Sequence, residues 1–155
     1  MAYQRLQVGR ALVVIPSDTI NIPNVAAVAT SGTASSIPLS NRLLDTAADF
    51  SLVKVGDIVY TSTQVSKVTE IINDTLLAID GTTIASGVDY TIYSQVDNPS
   101  NGCTLYVGLA GNLTVQTVGG DVVQFTGVPT GSFLPVQVLK VMSTGTDAQN
   151  IVALW

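Results

Sequence analysis

The sequence predicts an all-β protein, and three observations carry that expectation. Of 155 residues, 22 are Val, 11 Ile and 18 Thr, so about a third of the chain is β-branched, stiff at the first side-chain torsion and suited to a pleated surface. The residues that helices place on their wet faces are scarce, Glu70 being the single glutamate. In the middle of the chain four or five apolar stretches of five to eight residues recur at about 12-residue spacing, the rhythm of a small barrel or meander. The length is that of one ordinary domain or two very small ones, enough to bury a core without metal or disulfide.

Element by element, Gln7–Asn24 contains the apolar run Ala11-Leu-Val-Val-Ile15 followed by Pro16 and Pro23, which hold it extended. The uncharged stretch VAAVATSGTASSIPLS, Val25–Ser40, has no period and reads as a loop, or a strand and then a loop. Arg42–Ala48 is the single stretch that reads as a helical turn. Val53–Thr61 is a strand interrupted at Gly56-Asp57; Val65–Ile72 alternates, and Asn73-Asp74 supplies a turn into Thr75–Asp80. Asp89–Ser94 follows across Gly81 and Gly87, and Asp97-Asn-Pro-Ser-Asn-Gly102 breaks the pattern as the best linker in the chain.

The last third holds a hairpin whose register can be derived. A three-residue loop Val118-Gly119-Gly120 sets Leu113 opposite Phe125 and Val115 opposite Val123, whereas a two-residue Gly-Gly loop would set Val115 against Gln124. The longer loop keeps like with like and requires Gly120 in the left-handed region. Phe133–Met142 (FLPVQVLKVM) places Leu134, Val136, Val138 and Lys140 opposite Phe133, Gln137, Leu139 and Val141, so both faces are largely apolar. Ile151–Trp155 is the final strand.

Composition narrows the chemistry. There is no histidine, which removes imidazole bases and ligands, and the lone Cys103, expected as a small buried hydrophobe, excludes an intrachain disulfide. The carboxylate pairs Asp45/Asp49 and Asp74/Asp80 sit in turn contexts where Asp bonds its own backbone. Asp89, Asp97, Asn98 and Asn101 have the wrong spacing for a calcium loop. Ser17, Ser100 and Ser132 lack an activating base, and Gly108, Gly111, Gly119 and Gly120 form no phosphate-binding motif and read as hairpin glycines. No catalytic residue, cofactor or metal is expected, and the chain is expected not to be an enzyme. A net charge of −5 disfavours nucleic acid, and no apolar run reaches the roughly 18 residues of a membrane helix. The start MAYQRLQVGR has no signal-peptide pattern, so a soluble intracellular product is expected. Charged residues make up only 11% and hydrophobic ones 46%, with mean hydropathy +0.44, which favours a subunit of a permanent assembly over a diffusing monomer.

Both ends of the chain resemble a family, the head-spike base proteins of tailed bacteriophages and phage-derived gene transfer agents. The matching residues are Ile15-Pro-Ser-Asp-Thr-Ile-Asn-Ile-Pro-Asn24, Leu105-Tyr-Val-Gly-Leu-Ala-Gly-Asn-Leu-Thr-Val115, Gly119-Gly-Asp121, Phe125-Thr-Gly-Val-Pro-Thr-Gly-Ser-Phe-Leu-Pro-Val136, Ser143-Thr-Gly-Thr146 and Ile151-Val-Ala-Leu-Trp155. In the family the front motif runs almost directly into LYVG, whereas here roughly Val25 to Asn101 intervenes. The resemblance therefore implies a discontinuous antiparallel β-sandwich made of residues 1–25 and 102–155, with residues 26–101 inserted as a small β-barrel or meander.

It also implies a non-enzymatic virion structural protein on the capsid surface, made in the host cytoplasm: a capsid decoration or vertex subunit docking on the major capsid protein. Partners would be that protein, further copies of itself as a homotrimer or homopentamer, and a spike or fibre protein. A tail or baseplate adaptor is the alternative within the virion, and a carbohydrate-binding receptor module is the alternative outside that class. The second apolar face of the Phe133 strand, with Phe133, Leu139 and Val141, and Trp155 on the terminal strand are the expected interface, with an intrachain core role for Trp155 equally open.

Overall fold

The computed structural model describes residues 9–155 and is all-β. Its strands are β1 Ala11–Val13, β2 Val28–Thr33, β3 Arg42–Leu44, β4 Ile58–Tyr60, β5 Val65–Asn73, β6 Leu76–Ile79, β7 Asp89–Tyr93, β8 Cys103–Leu109, β9 Gly111–Thr117, β10 Val122–Val128, β11 Ser132–Val141 and β12 Gln149–Leu154. They form two six-stranded antiparallel sheets, ordered β1-β12-β8-β11-β9-β10 and β2-β7-β4-β5-β6-β3. The chain divides accordingly into two compact units, Met1–Ile22 with Asn101–Trp155, and Pro23–Ser100.

In the first unit, alternation directs Cys103, Leu105 and Val107 of β8, Leu113 and Val115 of β9, and Ile151 and Ala153 of β12 into one buried cluster. The hairpin register is the one derived above, Val123 opposite Val115 and Phe125 opposite Leu113, with Gly120 at φ +93°. The segment after β1 leaves β12, where the Val14 amide donates to Ile151 at 2.8 Å, and crosses to β11. There the Ser17 amide donates to the Val141 carbonyl at 2.9 Å and the Ile22 amide to Leu139 at 2.8 Å. Asp18 fastens the same crossing by accepting the Thr144 amide at 2.9 Å and its hydroxyl at 2.8 Å. Val14 and Ile22 are thereby drawn into the cluster.

In the second unit, β4, β5 and β6 form a meander around Leu43, Phe50, Val59, Val68, Leu77 and Ile92. Its edge strands β2 and β3 approach at one end, where the Ser35 amide donates to the Leu44 carbonyl at 2.7 Å. Two sequence expectations fail here. Arg42–Ala48 is not a helical turn: Arg42–Leu44 pairs with β6, and Asp45 then turns the chain by accepting the Ala47 amide. A single turn cannot repay helix nucleation, whereas a strand puts Leu43 fully into the core. The strand expected over Val53–Thr61 is confined to Ile58–Tyr60, because Lys54–Asp57 is a turn closed by the Lys54 carbonyl and the Asp57 amide at 3.1 Å.

Candidate functional site

The residues that could carry chemistry are held locally. Asp45 accepts the buried Tyr90 hydroxyl at 2.7 Å, and burial, with that bond and the carboxylate charge behind it, pushes the Tyr90 phenol well up. Asp49 is held low by its hydrogen bonds to the Ser51 side chain and amide. Asp80 accepts the Lys67 amide at 2.6 Å, Asp89 the Thr33 hydroxyl at 2.6 Å, and Asp97 pairs with Lys54 at 2.7 Å on the surface. Ser17 accepts the amides of Thr19 and Ile20. Cys103 lies in the core, its thiol pushed up to about 12 by burial. Among the described residues no group of three or more Cys, Asp or Glu is placed to hold a metal.

Of the glycines, Gly119 and Gly120 lie at a hairpin as expected, but Gly108 and Gly111 do not. β8 and β9 are not paired, so the turn between them is not a hairpin. Both are sites of close approach: a Cβ on Gly108 would lie 2.7 Å from the Asn150 carbonyl oxygen, and one on Gly111 2.5 Å from the Ala148 amide nitrogen.

The expected interface residues are dispersed. β11 lies between β8, which it pairs through Ser132–Val138, and β9, which it pairs through Val138–Val141; its register slips against β8 between Leu134 and Val138 and against β9 between Val138 and Lys140. Strict alternation is lost, so Leu134, Val138 and Val141 all point into the core. Val141 therefore leaves the predicted outer face; Leu139 is half-buried, and Trp155 is half-buried against the first unit's core, with its amide donating to Arg10 at 3.0 Å. Phe133 stays outside, 67% exposed.

Phe133 belongs instead to a row that the sequence reading did not assemble. Cross-strand register places Val13 opposite Val152, Val152 opposite Tyr106, and Tyr106 opposite Phe133, one apolar line across four strands. The Tyr106 and Phe133 rings are 5.2 Å apart, and Val13 at the far end is 63% exposed. The adjacent row, Ala11, Leu154 and Thr104, is also uncharged. Apart from the Tyr106 and Thr104 hydroxyls the two rows are apolar, and what the face offers is uncharged contact area. Its local signal in the sequence is Thr104-x-Tyr106 alternating against Cys103, Leu105 and Val107, but its strand neighbours come from positions about 27 to 140 residues away, which no local pattern reveals. In comparisons with protein-family models, curated proteins and solved structures, no match to this chain was found.

Proposed function

We propose that this chain is a non-enzymatic structural subunit of a tailed-phage virion, a capsid decoration or vertex protein that docks on the major capsid protein. The observation that carries the reading is how the family-like segments knit together. Ser17, Asp18 and Ile22 of the front motif bond to Val141, Thr144 and Leu139 next to or within the later ones, although more than 100 residues separate them. The low charge and the uncharged Val13–Phe133 row support the same reading, since both suit a surface destined for cover.

Mass spectrometry of gradient-purified particles, with and without tail removal, tests it. The chain is expected in particles from which tails have been stripped. Its absence from all particles overturns the virion reading, and its presence only with tails assigns it to a tail or baseplate adaptor. Phe133→Asp is expected to lower particle occupancy several-fold while leaving the fold intact, because that ring is already outside the core.

A further inference from the structure

Among the described residues the first unit ends in an open edge, β10, whose far side has no neighbouring strand. Five of its seven residues are exposed, among them Val122 at 58% and Val123 at 41%, which point to opposite faces of the sheet. Apolar side chains on both faces are the pattern of an interior strand. The backbone on the open side is identifiable. Opposite Gln124, the Thr114 amide donates to the Thr146 hydroxyl and its carbonyl accepts from Met142, so Thr114 and Gln124 are a pair that does not exchange backbone bonds. The amide and carbonyl groups of Val122 and Gln124 consequently face outward.

Natural edges are blunted by Lys, Pro, a bulge or shortness. β10 contains neither Lys nor Pro, and its bulge lies beyond Phe125, leaving Val122–Phe125 regular. No charged residue occurs from Val122 to Leu139, so the segment Val122–Phe125 brings no like charges face to face, and Asp121 just before it falls opposite Phe125 of the other copy. The other edges match it poorly: β1 and β3 have three residues each, and β2 is drawn toward β3 at one end. A head-to-tail ring needs two long open edges, whereas a twofold pair needs one.

We infer that β10 pairs antiparallel with β10 of a second copy of this chain, about a twofold axis near Val123, with Val122 and Gln124 supplying the hydrogen bonds. The result joins two six-stranded sheets into one, and Val123 of each copy covers the other. This contact lies on a different surface from the Phe133 row and stands independently of the virion reading.

Multi-angle light scattering of the full chain at micromolar concentration is expected to give twice its 16.1 kDa mass. Val122→Lys puts a charge on the open edge without removing a core contact and is expected to weaken pairing about tenfold or more, while Val122→Thr leaves it within about threefold. Amide hydrogen exchange supplies the arm that needs no variant: protection at Val122 and Gln124 should rise with protein concentration. A monomer, a trimer or pentamer, a Val122→Lys dimer of unchanged affinity, or concentration-independent exchange at those two amides would each overturn the inference. None of these results depends on whether the chain is found in particles.

Discussion

The two units are both six-stranded antiparallel sheets but are stabilised by different interiors. The first unit's core contains Leu105, Val107, Leu113, Val115 and Ile151 with Cys103, and no polar side chain beyond that thiol. Every buried polar or charged side chain among the described residues, Asp45, Asp57, Thr61, Ser66 and Ser100, falls in the second unit. The reason is strand length. Three of the second unit's strands have only three or four residues, so they close few ladder bonds, and buried side chains take over their turns. Where strands run to seven or ten residues, as in β8 to β11, apolar alternation and bulges suffice. One unit is specified by packing and the other by packing plus fixed hydrogen-bond acceptors.

The sharpest way to break that comparison is Asp57→Ala. The fully buried carboxylate accepts the Lys54 amide at 2.8 Å, Gln95 at 2.9 Å and Val96 at 3.2 Å, so it ties the β4 turn to the chain leaving β7. Removing it strands three amides and is expected to cost roughly 3–5 kcal/mol in urea unfolding, with Asp57→Asn recovering part. A loss below about 1 kcal/mol would show that the second unit does not depend on its buried acceptors.

Gly32→Ala tests the same dependence one step removed. A Cβ there would lie 2.3 Å from the Asp45 carboxylate and 2.8 Å from the Tyr90 hydroxyl, so the pair must part. The expected cost is about 2–3 kcal/mol, and it should shrink in the Tyr90→Phe background, where there is no hydroxyl to displace. Equal costs in both backgrounds would place the strain elsewhere.

How much of this was legible follows the same division. The all-β class and the β9–β10 hairpin could be read because β-branching, alternation and a glycine turn are local signals. Leu113 and Val115 had to face Phe125 and Val123 whatever the rest of the chain did. The β3 strand could not be read locally: Arg42-Leu-Leu resembles a helix start until Leu77 on β6 is known to lie beside Leu43. The same holds for Val141, whose inward turn depends on the register slip between Val138 and Lys140 against β9, and for the Val13–Phe133 row, which exists only in the folded register. Asp45 was read as a turn-forming residue and Asp57 as a break in a strand, but nothing in Leu-Asp or Gly-Asp announces a buried carboxylate that accepts the Tyr90 hydroxyl, as Asp45 does, or the Gln95 and Val96 amides, as Asp57 does.

At alkaline pH the first unit's lone titrating core group should show itself. Burial raises the Cys103 thiol from 9.0 to about 12, so the folded state keeps a proton that the unfolded state releases. Stability is therefore whole below pH 9 and declines as pH rises toward 12, by roughly 1 kcal/mol at pH 10. Cys103→Ala should remove that slope at some cost in packing. Tyr90 adds a parallel loss from the second unit that begins above its ordinary 10.0, one unit later, and Tyr90→Phe should remove it alone. A single slope abolished by Tyr90→Phe would assign the whole alkaline sensitivity to the second unit.

The smallest effect is expected at Ser66, a fully buried polar residue of the second unit that does not fit its pattern. Ser66 on β5 is fully buried opposite Val59, and its hydroxyl has no hydrogen-bond partner. A Cβ on Gly81 would lie 2.0 Å from that oxygen, so Gly81 leaves room for the hydroxyl without binding it. A buried acceptor such as Asp57 stabilises because three amides need it; an unpartnered hydroxyl loses its water and gains nothing in return. Ser66→Ala should therefore leave stability unchanged or raise it by up to about 1 kcal/mol, seen as a higher urea midpoint at unchanged slope. A loss greater than about 1 kcal/mol would mean that the hydroxyl is satisfied in solution, and that every buried polar group of the second unit contributes to holding it.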